Sequence, residues 1–366
     1  MVSKTKIIVM GCGKIGKLVV SLLARSGDYM VTAADVQQSV AQAATQTSDG
    51  SLLKNTSFIG LDFNDQAGIE KALEGQNYVL SCAPYHCNVR IATAAKSAGV
   101  HYLDLTEDVA TTKAIRTLSA GSELAFIPQC GLAPGFITIV ANSLSKNFES
   151  VDHIKMRVGA LPKYPHNAMK YNLTWSTEGL INEYGNPCEA VVNGQLTLLQ
   201  PLEGLEKFSL DGVEYEAFNT SGGLGTLAET FAGRAKSLDY KSVRYPGHRD
   251  IIALLMNELK LNQDRENLKK IFERALPTTK QDVVIIMVTI QGHKQGVLTQ
   301  ESYAHKIYNQ EIHGEHWGAI QITTASGICG VVDLHREGKI LQKGFVRQED
   351  VPLDPFLNNR FGKYYR

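Results

Sequence analysis

The 366-residue sequence has no excess of charge of either sign, because 37 lysines and arginines are balanced by 37 aspartates and glutamates. Nucleic acids and anionic membrane surfaces attract proteins with a strong positive field, so we expect neither as a partner. The sequence also lacks any apolar run near the roughly 20 residues that cross a bilayer. Hydrophobic residues make up 43% and charged residues 20%, which is typical of a folded globular protein with a small-molecule ligand.

Cysteine pairs and metal-binding patterns are also missing. The six cysteines form no Cys-x-x-Cys pair, so they suit neither a zinc site nor a disulfide framework, and we expect reduced thiols. The apolar run from Ile7 to Met10 is too short for a signal-peptide core, which makes a cytoplasmic location the default expectation. His313 and His316 would share one face of a helix, but no third ligand has suitable spacing, and no metal is expected.

Residues 5–128 alternate short apolar runs with amphipathic stretches, which indicates strands separated by helices. Parallel strands require right-handed crossovers, so this part predicts an α/β, doubly wound parallel sheet of the Rossmann type over residues 1–128. The six predicted strands lie near Lys6–Met10, Tyr29–Ala34, Ser57–Leu61, Tyr78–Cys82, His101–Leu105 and Leu124–Ile127. The helices are predicted to begin near Lys14, Val36, Gln66, Cys87 and Val109.

After Pro128 the pattern changes to longer strand-like segments with more closely spaced glycine and proline. Residues 129–316 therefore predict an α+β substrate domain with a mostly antiparallel sheet, whose uncovered edges favour a homodimer or higher homo-oligomer. Residues 317–366 are expected to form a helix and a tail that return to the first domain. Strands are predicted at 154–159, 170–175, 215–219, 239–244 and 283–291, helices at 248–259 and 265–274, and turns at Asn193-Gly194 and Asp211-Gly212.

A glycine-rich turn follows the first predicted strand and opens a helix. It reads Gly11-Cys12-Gly13-Lys14-Ile15-Gly16, a G-x-G-x-x-G pattern. Its first glycine permits a tight turn, its second lets a pyrophosphate approach the backbone, and its third allows close packing of helix on strand. The helix N-terminus adds amide donors and a positive dipole end. This context predicts a dinucleotide site.

Acidic residues after the next strands refine the cofactor prediction. Asp35 ends the second strand 24 residues after Gly11, where a carboxylate binds the ribose hydroxyls and repels a 2′-phosphate. No arginine or lysine follows until Lys54, so NAD is favoured over NADP. Asp62 either reaches the adenine or caps a turn. Cys82-Ala83-Pro84, after the fourth strand, is expected against the cofactor at the switch point of the sheet.

Four further segments resemble those of the saccharopine dehydrogenase-like superfamily, in the same order along the chain. They are PQCGLAPG at 128–135, NLTWSTEGLI at 172–181, TSGGL at 220–224 and KSVRYPGH at 241–248. The resemblance implies an enzyme that interconverts amines and imines or aldehydes with a nicotinamide cofactor. Ala133 replaces the aspartate of the family's GLDPG turn. With Asp35 and the EYGNP and PLEGLE stretches, this makes the lysine 6-dehydrogenase branch the most similar.

Oxidation of an amine requires a base that removes a proton from the ammonium before hydride leaves the adjacent carbon. Asp104, Glu107 and Asp108 form an acidic cluster at the end of the fifth strand. Glu107 and Asp108 lie near the position where the resemblance places a substrate-binding carboxylate. Glu107 is the preferred base and Asp104 the second candidate. Acids at this position also cap the following helix, so a structural role for each stays open.

An amino-acid substrate also needs a cation for its carboxylate, and the guanidinium fork suits that task. Arg244 matches the family's carboxylate-binding arginine, and the same resemblance places Gly222 and Gly223 beside the substrate. His248 has an ordinary pKa suited to proton shuttling, or else it caps the next helix. Further candidates are Tyr171 and Trp175 as walls for the substrate methylenes, or as core, and Glu178 and Glu183 for the α-ammonium. Cys130, beside the GLAPG turn, is expected to be an inert buried thiol.

Three functions remain open on the sequence alone. The first is NAD-dependent oxidative deamination of the terminal amine of L-lysine to the semialdehyde. The second is the saccharopine or carboxynorspermidine type of reaction, in which a semialdehyde and an amine condense reductively. The third is a catalytically silent NAD-sensing protein, against which Arg244 and the acidic cluster argue.

Overall fold

The computed structural model describes residues 4–366, which divide into two compact units. Unit 1 runs to Phe136 and resumes with Gln321–Arg366, and unit 2 is Ile137–Ile320. Both divisions lie a few residues later than 128 and 316, the boundaries that the sequence indicates. The turn after residue 128 stays bonded to unit 1, because Cys130 N donates to Asp104 O at 2.8 Å and the Gln348 amide donates to Pro128 O at 2.8 Å.

Unit 1 contains a seven-stranded sheet in which every pairing is parallel. Its strands are β1 (Thr5–Met10), β2 (Tyr29–Asp35), β3 (Thr56–Gly60), β4 (Tyr78–Ser81), β5 (His101–Asp104), β6 (Ala125–Ile127) and β17 (Gly344–Phe345), in the order β17-β6-β5-β4-β1-β2-β3. Its helices are α1 (Gly16–Ser26), α2 (Gln38–Ala44), α3 (Gln66–Leu73), α4 (Tyr85–Ala98), α5 (Val109–Ser119) and α12 (Leu353–Asn358). The order reverses direction between β1 and β4, which confirms the predicted doubly wound Rossmann sheet.

The burial of β1 fits its position inside the sheet, between β4 and β2. Ile7, Ile8, Val9 and Met10 point alternately to the two faces, and all four are fully buried. A strand covered by helices on both faces is continuously apolar rather than alternating. The C-terminal residues add to this unit, because β17 extends the sheet beside β6.

Two helices span the division between the units, α6 (Phe136–Ser145) and α11 (Ala319–Arg336). In unit 1, the Tyr365 hydroxyl donates to Thr323 O at 2.6 Å, and its ring stacks on Phe136 with centroids 3.9 Å apart. These contacts attach the last residues of the chain to unit 1.

Unit 2 contains a mixed sheet in which all pairings are antiparallel except that of β7 with β12. Its strands are β7 (Ser150–Pro162), β8 (Cys188–Val192), β9 (Gln195–Leu199), β10 (Glu206–Leu210), β11 (Val213–Asn219), β12 (Ala235–Arg244), β13 (Asp282–Lys294) and β14 (Val297–Tyr308). The main path is β10-β11-β12-β7-β13-β14, and β8 pairs with β12 and β9. A separate hairpin joins β15 (Gln310–Ile312) to β16 (Glu315–Trp317), and the helices are α7 (Thr177–Gly185), α8 (Leu227–Phe231), α9 (His248–Ala253) and α10 (Arg265–Ala275).

The two predicted hairpin turns are confirmed. Asn193-Gly194 joins β8 to β9 with φ of 51° and 79°, and Asp211-Gly212 joins β10 to β11 with φ of 52° and 74°. A two-residue turn with both φ positive matches the twist of paired strands, and asparagine, aspartate and glycine adopt it most readily.

The predicted strand at 170–175 is wrong. The Asn167 side chain donates to Tyr171 O at 2.6 Å and accepts from Tyr171 N at 3.2 Å, so an asparagine rather than a neighbouring strand binds this backbone. Lys170 also has a positive φ of 50°, which no extended strand contains. The predicted helix 248–259 is α-helical only to Ala253 and continues as a π-helix from Leu254 to Glu258.

Within residues 4–366, no helix combines the length and apolarity that crossing a bilayer requires.

Candidate functional site

The glycine turn of unit 1 lies directly against the turn that follows β4. Gly11 has a φ of +91°, and a Cβ added to it would lie 2.7 Å from Cys82 O and from Ala83 N. Only glycine fits this position, for reasons of both conformation and space. The loops after β1 and β4 therefore meet at the point where the strand order reverses, which is where parallel sheets bind ligands. The predicted neighbours Cys82, Ala83 and Pro84 lie here, and Pro84 precedes α4.

The other two glycines have contrasting surroundings. A Cβ on Gly16 would lie 1.9 Å from Gly11 O, so this glycine permits α1 to pack against the turn. A Cβ on Gly13 would have no atom within 4 Å, and Gly13 and Lys14 are exposed. The backbone at Gly13 is thus open to an approaching group beside the first turn of α1, whose N–H groups lack intrahelical acceptors. The turn is held in place by the Gln321 amide, which donates to Lys14 O at 3.0 Å.

Asp35 is bonded to the glycine turn. Cys12 N donates to Asp35 Oδ2 at 2.8 Å, and Gln37 N donates to Asp35 Oδ1 at 3.1 Å. Each carboxylate oxygen can accept more than one hydrogen bond, so two donors do not saturate the group. Burial, together with the negative charge of Asp35, raises the pKa of the Cys12 thiol to about 12, so that this thiol is not a nucleophile. The carboxylate is therefore fixed at the end of β2 beside the turn.

Asp62 and Cys82 lie at the edge of the sheet where the sequence predicts them. The contacts of these two residues are not specific to a cofactor site. The Asp62 carboxylate accepts from Asn64 N at 2.8 Å, which is the local turn that an aspartate forms in a loop. Burial raises the pKa of the Cys82 thiol, so it stays protonated. Ile15 precedes α1 and forms no side-chain cap, which leaves the helix terminus to its backbone donors.

The position of Asp104 does not suit the role of base that the sequence suggests for it. Its carboxylate is fully buried and accepts from Tyr102 Oη at 2.8 Å, Thr106 N at 2.9 Å and Gln129 N at 2.9 Å. Burial raises the pKa of Asp104 to about 6, although these three donors oppose the rise. A base must reach the proton that it abstracts. The geometry therefore favours Asp104 as the anchor of the turns that follow β5 and β6.

Of the other two acids in the cluster, Asp108 caps a helix, and Glu107 lies in the loop before it. Asp108 caps α5, because its carboxylate accepts from Thr111 N at 2.6 Å. Glu107 is partly exposed in the loop between β5 and the cap. Glu107 and Asp108 are both partly exposed, whereas Asp104 is buried, so their exposure is compatible with contact to a ligand and that of Asp104 is not.

Unit 2 holds Arg244 at the end of β12 in a buried aromatic environment. The residue is 3% exposed, and its guanidinium carbon lies 5.1 Å from the ring centre of Tyr171 and 5.6 Å from that of Tyr184. Nε donates to the Tyr184 hydroxyl at 2.9 Å and Nη1 to Val243 O at 2.8 Å. Glu183 Oε2 lies 3.9 Å from Nη2, beyond hydrogen-bond distance. Burial opposes its charge, but Tyr184, Tyr171 and Glu183 raise the pKa of Arg244 above its ordinary value.

His248 does not have the near-neutral pKa expected from the sequence. It begins α9 but is only 1% exposed, with Nδ1 2.8 Å from Met169 O and Nε2 3.0 Å from the Tyr184 hydroxyl. Burial, assisted by the charge of Arg244, lowers the pKa of His248 to about 3. The imidazole is therefore neutral at physiological pH, and the proton-shuttling role is not supported.

Tyr171 and Trp175 belong to the same cluster, although they lie in an irregular segment. Tyr171 is fully buried, and the Trp175 indole donates to its hydroxyl at 3.3 Å. Trp175 is partly buried at the edge of the hydrophobic cluster that contains Tyr184 and Phe218. Tyr171 thus packs directly on Arg244, and Trp175 supports Tyr171 from the edge of the cluster.

The remaining predicted residues of unit 2 lie on α7 and in the turn after β11. Glu178 is in the first turn of α7, 3.9 Å from Lys269 Nζ. Gly222 has a φ of +86°, and a Cβ on Gly223 would lie 2.3 Å from the Tyr240 ring. Packing against Tyr240 is therefore sufficient to require a glycine at 223.

Tyr184 is a residue of this cluster that the sequence does not predict. It lies on α7 and bonds to both Arg244 and His248, which are 60 and 64 residues away. No local pattern marks such a pairing. The only available signal was its position beside Glu183, which was itself a candidate.

His313 and His316 do not lie on a helix. His313 has a φ of 55° in the turn between β15 and β16, so the two histidines do not share a helical face. Among residues 4–366, no group of three histidine, cysteine, aspartate or glutamate side chains could hold a metal ion.

Comparison with known families matches nearly the whole chain. The model described as the saccharopine dehydrogenase NADP binding domain matches residues 7–125. The model described as the saccharopine dehydrogenase C-terminal domain matches residues 131–363.

Curated relatives match over about half of this chain. Saccharopine dehydrogenase (NADP+, L-glutamate-forming) of Schizosaccharomyces pombe is 25% identical over 203 residues, which are 52% of this chain and 42% of that protein. Mitochondrial alpha-aminoadipic semialdehyde synthase of Mus musculus is 22% identical over 204 residues, 54% of this chain and 21% of that protein. The chain thus aligns with less than half the length of either relative.

One solved structure has the same fold throughout. Apo saccharopine dehydrogenase (L-Glu forming) from Saccharomyces cerevisiae matches with a TM-score of 0.78 at 16% identity, and the match covers 98% of each chain.

Proposed function

This chain belongs to the saccharopine dehydrogenase family, and we propose that it is a pyridine-nucleotide-dependent oxidoreductase acting on a carbon–nitrogen bond of an amino acid. The observation that carries the proposal is Arg244, a charged guanidinium that is buried among aromatic rings with a carboxylate no closer than 3.9 Å. A buried charge is costly unless a partner compensates it. The carboxylate of an amino-acid substrate is the partner that we assign to it.

The cofactor half of the proposal rests on the glycine turn of unit 1. Gly13 and the first turn of α1 would hold the pyrophosphate, and Asp35 would hold the ribose hydroxyls. A bound nicotinamide dinucleotide supplies the hydride acceptor. We propose NAD as the preferred form, because the Asp35 carboxylate would repel a 2′-phosphate. NADP is the alternative, supported by the description of the family model that matches residues 7–125.

Charge arrangement in unit 2 supports an α-amino acid as the substrate class. Arg244 and Glu183 bring opposite charges within 3.9 Å of each other, which suits the adjacent carboxylate and ammonium of a zwitterion. We therefore assign the carboxylate to Arg244 and the α-ammonium to Glu183. Glu178 is the second candidate for the ammonium, and Trp175 would contact the methylenes.

Glu107 is the proposed base. The overall reaction takes an ammonium, an oxidised dinucleotide and water to an aldehyde, a released amine in its ammonium form, a reduced dinucleotide and one proton. Glu107 would take the proton from the substrate nitrogen, because only the neutral amine has the lone pair that assists departure of hydride from the adjacent carbon. Asp104 would hold the loop that carries Glu107.

Two substrates follow from different observations. L-Lysine, oxidised at its terminal amine, is favoured by Asp35 and by Ala133, which departs from the GLDPG pattern that the turn at 131–135 resembles. Saccharopine, cleaved to glutamate and the semialdehyde, is favoured by the activities for which the curated relatives are named. The released amine is ammonia in the first case and glutamate in the second.

The deciding experiment follows reduced cofactor by absorbance. Purified protein is mixed with L-lysine or saccharopine and with NAD or NADP, and Arg244→Met serves as the matched variant that removes the charge. Turnover with L-lysine supports the first substrate, and turnover with saccharopine alone supports the second. Dinucleotide binding without turnover on a broad panel of amino acids and amines would refute the enzymatic proposal in favour of a sensing protein.

A further inference from the structure

Hydrogen bonds connect Arg244 to the backbone of a distant segment through two side chains. Met169 O lies 2.8 Å from His248 Nδ1, His248 Nε2 lies 3.0 Å from Tyr184 Oη, and Tyr184 Oη lies 2.9 Å from Arg244 Nε. A carbonyl can only accept, so Nδ1 of the imidazole donates to Met169. At its other end, the guanidinium can only donate, so Tyr184 Oη accepts from Arg244.

The protonation state of His248 decides the bond in the middle of this series. Burial and the charge of Arg244 lower the pKa of His248 to about 3, so the imidazole is neutral and its single proton is on Nδ1. Nε2 can then only accept, and the Tyr184 hydroxyl donates to it while its oxygen accepts from Arg244. The imidazole packs against Tyr171, Tyr184 and Phe218 at 5.3, 5.8 and 6.4 Å between ring centres. It is therefore fixed both by packing and by hydrogen bonds.

These hydrogen bonds use the donors on one side of the Arg244 guanidinium group. Nε is bonded to Tyr184, and Nη1 uses one proton on Val243 O. Within residues 4–366, Nη2 donates no hydrogen bond to a protein acceptor, and its ion-pair partner is Glu183 Oε2 at 3.9 Å. The edge formed by Nη1 and Nη2 therefore remains for a ligand, whereas the edge formed by Nε and Nη2 does not.

We propose that Tyr184 and His248 are positioning residues that orient Arg244 so that it binds the substrate carboxylate end-on, through Nη1 and Nη2. This rests on the proposed function, in which Arg244 receives that carboxylate. His248 contacts no substrate and transfers no proton. Its role is to accept a hydrogen bond from the Tyr184 hydroxyl, which keeps the phenol oxygen turned toward Arg244. A bidentate pair depends on the plane of the fork, so a rotated guanidinium would lose one of its two bonds.

The test measures binding, so it does not depend on turnover. Calorimetry would compare the carboxylate ligands L-lysine and saccharopine with L-lysinamide, which lacks the carboxylate, in the presence of the dinucleotide. Tyr184→Phe removes only the hydroxyl, and His248→Phe removes its acceptor while retaining a ring of similar size. Tyr215→Phe, which removes a buried phenol hydroxyl from β11, is the matched control.

We expect Tyr184→Phe to weaken carboxylate binding about 10-fold, in the range for loss of a hydrogen bond to a charged group, and His248→Phe to act in the same direction. Preference for L-lysine over L-lysinamide should fall in both variants, while dinucleotide affinity and the affinities of Tyr215→Phe stay unchanged. General damage to the fold would weaken both ligands equally and would refute the positioning role. If the unmodified protein binds neither carboxylate, the proposed function fails. If it binds them and both variants bind as well, only the positioning inference fails.

Discussion

The backbone N–H of Cys12 donates a hydrogen bond of 2.8 Å to the carboxylate of Asp35. The residue proposed to select the cofactor therefore also holds the loop proposed to bind its phosphates. Any substitution of Asp35 changes both the charge offered to the ribose and the support of the glycine turn. The two contributions can be separated, because an asparagine keeps an acceptor oxygen for Cys12 but removes the charge.

Asp35→Asn should weaken NAD binding and relax discrimination against NADP, because the repulsion of the 2′-phosphate is lost. Asp35→Ala should weaken both dinucleotides further, since the loop also loses its acceptor. A hydrogen bond to a charged group contributes about 1.5–3 kcal/mol, so NAD affinity should fall roughly 10- to 100-fold in the alanine variant. Dinucleotide titration monitored by calorimetry measures both. An unchanged preference in both variants would refute the role given to Asp35.

A methyl group at Gly13 should act on the cofactor and not on the fold. Its Cβ has no atom within 4 Å, so Gly13→Ala should change the free energy of unfolding by no more than about 0.5 kcal/mol. It should nevertheless weaken dinucleotide binding, because the methyl group would occupy the space above the turn. Thermal unfolding and dinucleotide titration of the same preparation test the two statements.

Gly16→Ala is the contrasting control. Its Cβ would lie 1.9 Å from Gly11 O, so the turn or α1 must move. Overpacking of this kind costs about 1–3 kcal/mol, which should lower the melting temperature. A Gly13→Ala protein that melts as early as Gly16→Ala would show that the space above Gly13 is not open.

Sequence patterns were sufficient to predict those features whose structure depends on residues that are close together in the chain. The glycine turn, the end of β2 at Asp35 and the turns at Asn193-Gly194 and Asp211-Gly212 each follow from steric rules over a few residues. Gln295-Gly296 forms the same kind of turn between β13 and β14, with φ of 52° and 74°, but glutamine is not a typical residue for it. That hairpin was therefore missed.

Long-range packing decided what the sequence analysis got wrong. Tyr171 lies in a segment that was predicted as a strand, yet its backbone N–H and C=O form hydrogen bonds with the Asn167 side chain. His248 has an ordinary side chain, and its neutral state follows from burial beside Arg244. Asp104 was predicted as a possible base because the spacing of residues in the sequence does not reveal the three hydrogen-bond donors around its carboxylate.

Glu107→Gln should lower kcat by about 10²- to 10⁴-fold, the usual contribution of a general base, with little change in the KM of the dinucleotide. Asp108→Ala is the matched control in the same cluster. Because Asp108 caps α5, its loss should cost about 1 kcal/mol of unfolding free energy while leaving kcat largely intact. Steady-state kinetics and urea unfolding distinguish the two. The assignment is reversed if Asp108→Ala loses turnover and Glu107→Gln retains it.

The environment of His101 should make the folded protein less stable at acidic pH. Its Nδ1 accepts from Ala125 N at 2.9 Å, and its ring centre lies 4.7 Å from that of His335. Burial, followed by repulsion from His335, lowers the pKa of His101 from 6.5 to about 4. Between these values the unfolded chain binds more protons than the folded one. The free energy of unfolding should therefore be unaffected by His101 above pH 6.5 and should decrease as the pH falls toward 4.

Urea unfolding between pH 4 and 8 would compare the unmodified protein with His101→Asn, which has no imidazole to protonate. The variant should show a shallower decline of unfolding free energy below pH 6.5, by up to one proton of linkage. Asp104, with its pKa raised to about 6, acts in the opposite sense and destabilises the fold as the pH rises, but it is present in both proteins. His166→Asn reports the effect of removing an exposed histidine. Parallel curves for His101→Asn and the unmodified protein would mean that His101 binds its proton equally well in both states, which its bond to Ala125 N and its contact with His335 should prevent.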